Sequence, residues 1–336
     1  MADGSFAGGN GTKDNPYLIE DAFDLDAVRN NLKSHYRLIK NIDLNIDPFN
    51  KGWTPIGQTG TGYTSFEGTL DGYSHVVSNL IINQSKLNRV GLFARIDNSL
   101  VENLGIQDAN VVGDTYVGIL AGHAESSTIK NCITTGVLSG NSDIGGLLGS
   151  VGASSFIDKC LTMSVIEIGE KTGGLIGTSW RKSSSVTNSF WDKEISGEVN
   201  SVGGVGLTTE EMKNPQTFID AGWEHELNED GEKVWILKNG EYPRLRFDTK
   251  DKTLFLNNNK YYKYKDKQWK EVSSSLPSTD QFKEHGMEDL SVFNRNVQPI
   301  TNNPFNMTSE ETDEGKLFKT KVDLKKFFDL RSLKIK

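Results

Sequence analysis

Five acidic residues in the first half of the sequence are of the type that glycan cleavage needs. Glycoside hydrolysis uses two carboxyl groups that face one groove about 5–10 Å apart. The candidates are Glu67, Asp71, Asp97, Asp114 and Asp143. They do not recur in a pattern that separates an acid from a base, and acidic residues in turns are usually just solvated. We therefore assign no catalytic residue.

Histidine and cysteine are too sparse to indicate a metal centre or a catalytic triad. His225 lies between Glu224 and Glu226, but no second histidine is near it, and the chain has only 5 histidines. Cys132 and Cys160 also lack the neighbouring histidine pair of a zinc site. We expect two free, buried thiols rather than a disulfide, although their spacing would permit one. No metal site and no cofactor site is assigned.

A glycine–aliphatic phrase recurs along the chain and predicts the architecture. Gly91, Gly118, Gly146 and Gly174 begin or precede its copies, at intervals of 27, 28 and 28 residues by subtraction. A second phrase has its central position at Asn79, Asn103, Asn131, Lys159 and Asn188, at intervals of 24, 28, 28 and 29 residues. Two unlike phrases with one period indicate a tandem repeat. A phosphate-binding role for the glycines is disfavoured, because no P-loop lysine follows them.

The repeated phrases are short, rich in β-branched residues and bounded by turn formers, which favours strands over helices. We predict two strands per period, with the asparagine at a bend in left-handed conformation. Such repeats stack as coils of a parallel β-solenoid. Leu104, Cys132 and Cys160 are then expected on one inward column, and the asparagine column is expected to be structural. An equivalent apolar column is expected at Leu92, Ile119, Leu147 and Leu175, and a further one at Val77, Val101, Ile129, Ile157 and Val186.

Composition excludes several functional classes. The 336 residues carry a net charge of −8, which argues against binding to nucleic acid. No apolar run approaches the length of a membrane span, and the first residues lack the pattern of a secretory signal. We therefore expect neither a nucleic-acid partner nor a membrane span, and synthesis in the bacterial cytoplasm without a signal peptide.

Both ends of the solenoid are expected to be covered. A helix capped by Asp21 should cover the front, and a helix near 208–221, stopped by Gly222, should cover the back. A hairpin is expected around Asn239 and Gly240. The predicted organisation is a front cap with the first coils at 1–75, the repeat β-helix at 76–200, a C-terminal cap at 201–248 and a small β-rich module at 249–336.

The sequence resembles the GLUG-type repeat proteins over residues 8–247. The resemblance is carried by GGNGTKDNPYLI, DLDAVRNN, YRLIKNIDL, WTPIG and FEGTLDG, then by the two repeated phrases, and finally by GLTTEEMK. It implies a right-handed parallel β-helix of five or so coils, found in surface adhesins and in bacteriophage tail-associated proteins. It brings no catalytic motif.

Residues beyond 250 are similar to small C-terminal modules of phage tail and fibre proteins. LFLNNNKYYKYKDKQWKEV predicts an antiparallel meander, FKEHGMEDLS a short helix and GKLFKTKVDLKKFFDLRSLKIK a strand. Tyr261, Tyr262, Tyr264 and Trp269 could stack on a sugar, but a role as the core of a small sheet is the favoured interpretation.

The function predicted from the sequence is host attachment by a non-enzymatic virion protein of a phage tail. The expected partners are a bacterial cell-surface glycan or teichoic acid and other tail proteins, with a homotrimer as a further hypothesis. Two alternatives remain open, a bacterial surface adhesin displayed on the cell surface and a β-helical depolymerase of cell-wall glycan.

Overall fold

The computed structural model describes residues 6–59, 62–181, 183–227, 233–246, 254–257, 260–265, 268–274, 308–312 and 315–319. Its contacts divide the chain into two compact units, 1–247 and 248–336.

The first unit is a parallel β-helix of about four turns, so the predicted fold class is confirmed. Its strands form four sheets. The first contains β1 (Tyr17–Ile19), β2 (His35–Leu38), β6 (Thr69–Asp71), β10 (Leu100–Glu102), β14 (Thr128–Lys130), β18 (Phe156–Asp158) and β22 (Ser185–Thr187). The second contains β3 (Ile42–Asp43), β7 (Val76–Ser78), β8 (Ile81–Asn83), β11 (Gly105–Val112), β15 (Ile133–Ser139), β19 (Leu161–Ile168), β23 (Phe190–Asp192) and β24 (Val205–Leu207).

The other two sheets are smaller. The third contains β12 (Thr115–Gly118), β16 (Ser142–Gly145) and β20 (Thr172–Gly173), and the fourth contains β9 (Phe93–Asp97), β13 (Ala121–Glu125), β17 (Leu148–Val151) and β21 (Ile176–Ser179). A regular period therefore contributes four strands, as in the run from β10 to β13, and the prediction of two was wrong. The glycine–aliphatic phrase spans two of these strands, because it contains the corner between the third and fourth sheets.

The corners are built by residues in left-handed conformation. Asn103, Asn131, Lys159 and Asn188 have φ angles of 53°, 51°, 51° and 45°. The bend predicted at the asparagine column is thereby confirmed. Asn131 donates to Asn103 Oδ1 over 3.0 Å, and Asn103 donates to Asp71 Oδ1 over 3.1 Å. The side chains of Asn131, Asn103 and Asp71 thus form a hydrogen-bonded ladder along this corner, which Lys159 interrupts, and Asn188 donates to Asp158 Oδ1 instead.

The predicted register holds in the three regular coils and fails before them. Gly105 pairs with Ile133, and Ile133 pairs with Leu161. This places Leu104, Cys132 and Cys160 on successive coils, all buried in one core cluster. Both thiols are free.

Val77 does not stack on Val101. It pairs with Ile106, and Leu70 takes the position next to Val101. The interval of 24 residues between Asn79 and Asn103 is shorter than the period of 28. Residues 77–80 match the repeated phrase in sequence, but Val77 lies on the second sheet instead of the first.

The front of the core is closed by a short helix, α1 (Ala22–Ala27), followed by a 3-10 turn at Val28–Asn30. Asp21 caps α1 as predicted, because its side chain accepts hydrogen bonds from the amides of Phe23 and Asp24. Leu25 and Val28 belong to the main core. A 3-10 turn at Phe49–Lys51 and an antiparallel pair, β4 (Gln58–Thr59) with β5 (Gly62–Tyr63), lie within the first coils.

The last coil ends in α2 (Lys193–Ser196), and residues 198–207 then pack against this last coil. Val202 donates its amide to Ile176 O, and Gly174 donates its amide to Asn200 O.

Within residues 209–246, the described stretches 209–227 and 233–246 pack along the flank of the β-helix. They form α3 (Thr209–Met212), α4 (Pro215–Asp220), a 3-10 turn at Trp223–His225 and the antiparallel pair β25 (Trp235–Ile236) with β26 (Arg244–Leu245). The predicted hairpin is confirmed. The single helix predicted at 208–221 is divided at Asn214 and Pro215, because Asn214 caps a new helix whose first residue is proline.

We call residues 209–246 the flanking segment. Its core is shared with Ile133, Leu161 and Phe190, which stack on the outer face of the second sheet. Two tryptophans fasten it to the asparagine corner: Trp235 Nε1 donates to Asn131 Oδ1 over 3.2 Å, and Trp223 Nε1 donates to Asn188 O over 2.9 Å.

The second unit contains an antiparallel meander of β27 (Leu254–Asn257), β28 (Lys260–Lys265) and β29 (Gln268–Ser273), as predicted. A separate antiparallel pair joins β30 (Thr308–Thr312) to β31 (Gly315–Lys319). The short helix predicted around FKEHGMEDLS lies outside the described residues, as does the predicted strand beyond Lys319.

A fragment of residues 1–248 is expected to be soluble and rich in β-structure, because the contacts of the first unit end at 247. Circular dichroism and thermal unfolding of the fragment beside the full chain would test this. An aggregated or unfolded fragment would show that the second unit belongs to the covering of the β-helix and that the predicted boundary is misplaced.

Candidate functional site: an aromatic and arginine cluster

The predicted acidic residues have structural partners in the β-helix. Glu67 pairs with Lys33 at 2.8 Å, Asp71 with Arg37 at 3.1 Å and Asp97 with Arg95 at 2.8 Å. The side chain of Asp143 accepts from Ser142 Oγ at 2.9 Å, and the backbone carbonyl of Asp114 accepts the amide of Asn141. The carboxylates of Glu67, Asp71, Asp97 and Asp143 thus have polar side-chain partners, whereas the contact of Asp114 is made by its backbone.

His225 lies on the surface of the flanking segment. Its side chain is 79% exposed and lies 3.6 Å from Glu224. Over the described ranges, no three His, Cys, Asp or Glu side chains are grouped closely enough to hold a metal ion.

Tyr264 pairs with Trp269 across β28 and β29, but the side chains of the predicted aromatic set lie outside the described part. The choice between sugar binding and a sheet core therefore stays a prediction. None of the described helices has the length and hydropathy to cross a membrane.

The fold instead assembles a group of residues that the sequence analysis did not connect. We call Arg89, Tyr116, His123 and Trp180 the Trp180 cluster. The Trp180 ring stacks on His123 with centroids 4.3 Å apart, and Tyr116 meets it edge-on at 5.4 Å. The Arg89 guanidinium lies 5.3 Å from the Trp180 centroid and 5.6 Å from that of Tyr116, within the range of a cation–π contact.

The positions of Arg89 and Tyr116 depend on the close approach of their backbone to strands β13 and β17. Both adopt a left-handed φ near 60° at equivalent corners of adjacent coils. A Cβ on Gly122 would lie 2.3 Å from Arg89 Cα, and one on Gly149 would lie 2.3 Å from the Tyr116 carbonyl carbon. These distances are too short for any side chain, so the glycines of the repeated phrase are what allow the corner to approach β13 and β17.

Small residues let Trp180 reach His123 across an intervening coil. His123 pairs with Ser150 on the next strand, and Ser150 pairs with Thr178. Trp180 follows β21 directly and donates its amide to Val151 O. Ser150 and Gly152 leave little side-chain volume on the intervening strand, and the Glu125 carboxylate lies over Gly152.

His123 is held by hydrogen bonds at both ring nitrogens. Nδ1 lies 2.8 Å from Ser150 Oγ, and Nε2 lies 3.2 Å from Glu125 Oε2. Glu125 also accepts the amide of Ala153 at 3.0 Å. Burial lowers the pKa of His123 to about 4; the hydrogen bond with Glu125 opposes this shift, and Arg95 and Arg89 add to it. The neutral ring carries a single N–H, so the imidazole donates in one of these two contacts and accepts in the other.

This Ser–His–Glu chain has the residue types of a hydrolase triad but not the access. Ser150 and His123 are both fully buried. A nucleophilic serine must reach a substrate carbonyl, and Ser150 Oγ instead lies 3.1 Å from the carbonyl of Gly122. The hydrogen bonds of Ser150 and Glu125 therefore hold the His123 imidazole in place against the Trp180 ring. Sequence analysis had found no support for a Ser-His-Asp arrangement, and His123 and Ser150 meet only through the strand register.

We expect the low pKa of His123 to make stability depend on pH. An unfolded histidine has a pKa near 6.5, so unfolding takes up a proton between about pH 4 and 6.5. The contribution is fully present above pH 6.5, and the free energy of unfolding should fall by about 3 kcal/mol as pH drops to about 4. Urea unfolding across this range measures the slope. His123→Gln should reduce it and His225→Gln should not, whereas an unchanged slope in His123→Gln would contradict the assignment.

Comparison with known proteins finds partial similarity to segments of much larger proteins. The chain is 38% identical over 151 residues to halomucin of Haloquadratum walsbyi, covering 42% of this chain and 2% of that protein. It is 42% identical over 132 residues to a protein of Evansella cellulosilytica named as a Gly-rich membrane protein. This match covers 37% of this chain and 15% of that protein. It is 32% identical over 126 residues to the immunoglobulin A1 protease of Streptococcus sanguinis, and this match covers 37% of this chain and 6% of that protein.

No family model matches the chain. Among solved structures, a candidate immunoglobulin A1 protease of Bacteroides ovatus is similar, with a TM-score of 0.49 and 19% identity over 74% of this chain and 98% of that one. The chain thus spans no more than 15% of the length of the curated relatives described above.

Proposed function

We propose that this chain is a non-enzymatic attachment module displayed at a surface, where its β-helix binds a bacterial cell-surface glycan or teichoic acid. The observation that carries the proposal is that the chain is similar to short segments of three very long proteins, one named halomucin and one named a membrane protein. A repeat scaffold that recurs in long proteins with such names suits display and repeated weak contacts.

The side chains of the β-helix support binding over cleavage. Three of the five candidate carboxylates, those of Glu67, Asp71 and Asp97, form ion pairs with basic side chains. The buried Ser150–His123–Glu125 chain supports an aromatic residue that faces solvent. This arrangement is suited to holding a ligand, because the exposed group is rigid and the reactive groups are enclosed.

A phage tail is one setting for such a module, and we retain it as the finer proposal. Its support is the resemblance of residues 8–247 to GLUG-type repeats and that of the residues beyond 250 to tail and fibre modules. A bacterial adhesin is the second setting, favoured by the name of the Evansella relative. Genes for tail proteins beside this gene would favour the virion, and genes for cell-envelope proteins would favour the adhesin.

Binding to intact bacteria tests the proposal. The purified chain should bind saturably to cells of a susceptible species and release no reducing sugar or wall fragments from purified cell wall. A chain that binds no cell of a broad panel would contradict the proposal. Release of fragments that is abolished by Glu67→Gln, Asp71→Asn, Asp97→Asn, Asp114→Asn or Asp143→Asn would replace it with the depolymerase alternative.

A further inference from the structure

Trp180 differs from the other tryptophans whose side chains the structure describes. Trp53, Trp191, Trp223 and Trp235 are at most 4% exposed, whereas Trp180 is 45% exposed. An exposed tryptophan loses the stabilisation that burial would give it. His123 stacks on the ring and the Arg89 guanidinium also lies over it, so the exposed 45% of the side chain is the part of the indole that these two groups leave uncovered.

The ring is also unusually well fixed for a surface residue. His123 supports it from below and is itself held by Ser150 and Glu125. Tyr116, on β12 of the third sheet, meets its edge, and Arg89, at the equivalent corner of the preceding coil, lies over the ring. A side chain held in this way loses little conformational entropy on binding, which is the condition for an effective anchor.

The surroundings of the ring are polar. Ser179 and Arg181 flank it in the chain, and the Ser179 hydroxyl donates to Arg181 O over 2.7 Å. Tyr116 is half-buried beside it, and Arg181 is exposed. A protein anchor would be expected to enter a concave apolar pocket. A single flat ring in a polar rim instead suits a ligand that has one apolar face and hydroxyl groups around its edge.

We propose that the exposed part of the Trp180 indole is a stacking platform for a sugar ring of a cell-surface polysaccharide. A pyranose presents a face of C–H groups that can stack on the indole, and its equatorial hydroxyls can hydrogen-bond with the rim. Tyr116 and Arg89 are positioning residues for the platform, and His123 supports it. This inference rests on the proposed surface attachment and names the ligand class and the binding residue.

Calorimetric titration of the full chain tests the platform. The probes are a hexasaccharide of N-acetylglucosamine, which is neutral, and a hexasaccharide of hyaluronan, which carries carboxylates. At least one hexasaccharide should bind, and Trp180→Ala should raise its Kd about tenfold, as for a typical anchor residue. Trp180→Tyr should restore part of the affinity, because it keeps a ring. Phe156→Ala is the matched control, since Phe156 is 41% exposed on a different sheet, and it should leave the Kd unchanged.

The inference is overturned if neither hexasaccharide binds or if Trp180→Ala retains the Kd of the unaltered chain. Far-ultraviolet circular dichroism and thermal unfolding of each variant separate a lost contact from a lost fold. If the unaltered chain still binds intact cells in either case, the attachment function stands and the platform alone fails. If the hexasaccharides bind through Trp180 but no cells are bound, the platform stands and the attachment function fails.

Discussion

Replacing Leu104 by aspartate is expected to lower the free energy of unfolding by about 4 kcal/mol. Leu104 is 1% exposed and lies on the inward column shared with Cys132 and Cys160. The substitution removes buried apolar surface and places a carboxylate between two coils without a partner. Because the coils stack through parallel pairing above and below this position, the loss should spread to the adjacent coils.

Urea unfolding followed by circular dichroism measures the effect. Asn110→Asp is the matched control, because Asn110 is exposed on β11 and a surface substitution of this kind usually changes stability by less than about 0.5 kcal/mol. Equal stability of Leu104→Asp and Asn110→Asp would show that the column is not part of the core.

Replacing Trp223 by alanine is expected to detach the flanking segment, at a cost of about 3–5 kcal/mol. Trp223 is fully buried and contacts Phe190, Phe218 and Trp235 with centroids 5.9, 4.9 and 4.2 Å away. Its indole also donates to Asn188 O. The substitution removes a buried aromatic contact and a hydrogen bond between the segment and the β-helix.

Amide hydrogen exchange distinguishes local detachment from global unfolding. In Trp223→Ala, protection should fall throughout residues 209–246 and in β15, β19 and β23, while β9, β13 and β17 in the fourth sheet stay protected. His225→Ala, two positions away and exposed, should behave as the unaltered protein. Loss of protection in all four sheets at once would show that the flanking segment and the β-helix unfold as one unit.

Periodicity explains which parts of the fold could be predicted. The phrases at Asn103, Asn131, Lys159 and Asn188 repeat at intervals of 28, 28 and 29 residues, and a nearly constant interval on stacked coils places like residues above one another. Cys132 and Cys160 were located on one column by this argument alone. The left-handed bend followed from the tolerance of asparagine for positive φ. At Lys159 the same bend is occupied by a residue without that preference, and only the repeat identified it.

Where the period breaks, local resemblance is misleading. Val77 matched the phrase but pairs with Ile106, because the first coil has a different corner length. The corners at Arg89 and Tyr116 have no sequence signal, since residues with large side chains rarely adopt positive φ. Their cause is the contact with Gly122 and Gly149 of the facing strands, which exists only once the coils have stacked.

The sequence by itself determined a stacked β-helix, its inward columns and its amide ladder, because these depend on contacts between equivalent positions of neighbouring repeats. The tertiary structure decided the position of the flanking segment and the assembly of the Trp180 cluster. Trp180 and His123 occupy non-equivalent positions two coils apart, and their stacking depends on the small side chains of Ser150 and Gly152 between them. No repeat interval encodes such a contact, because it depends on what the intervening coil lacks.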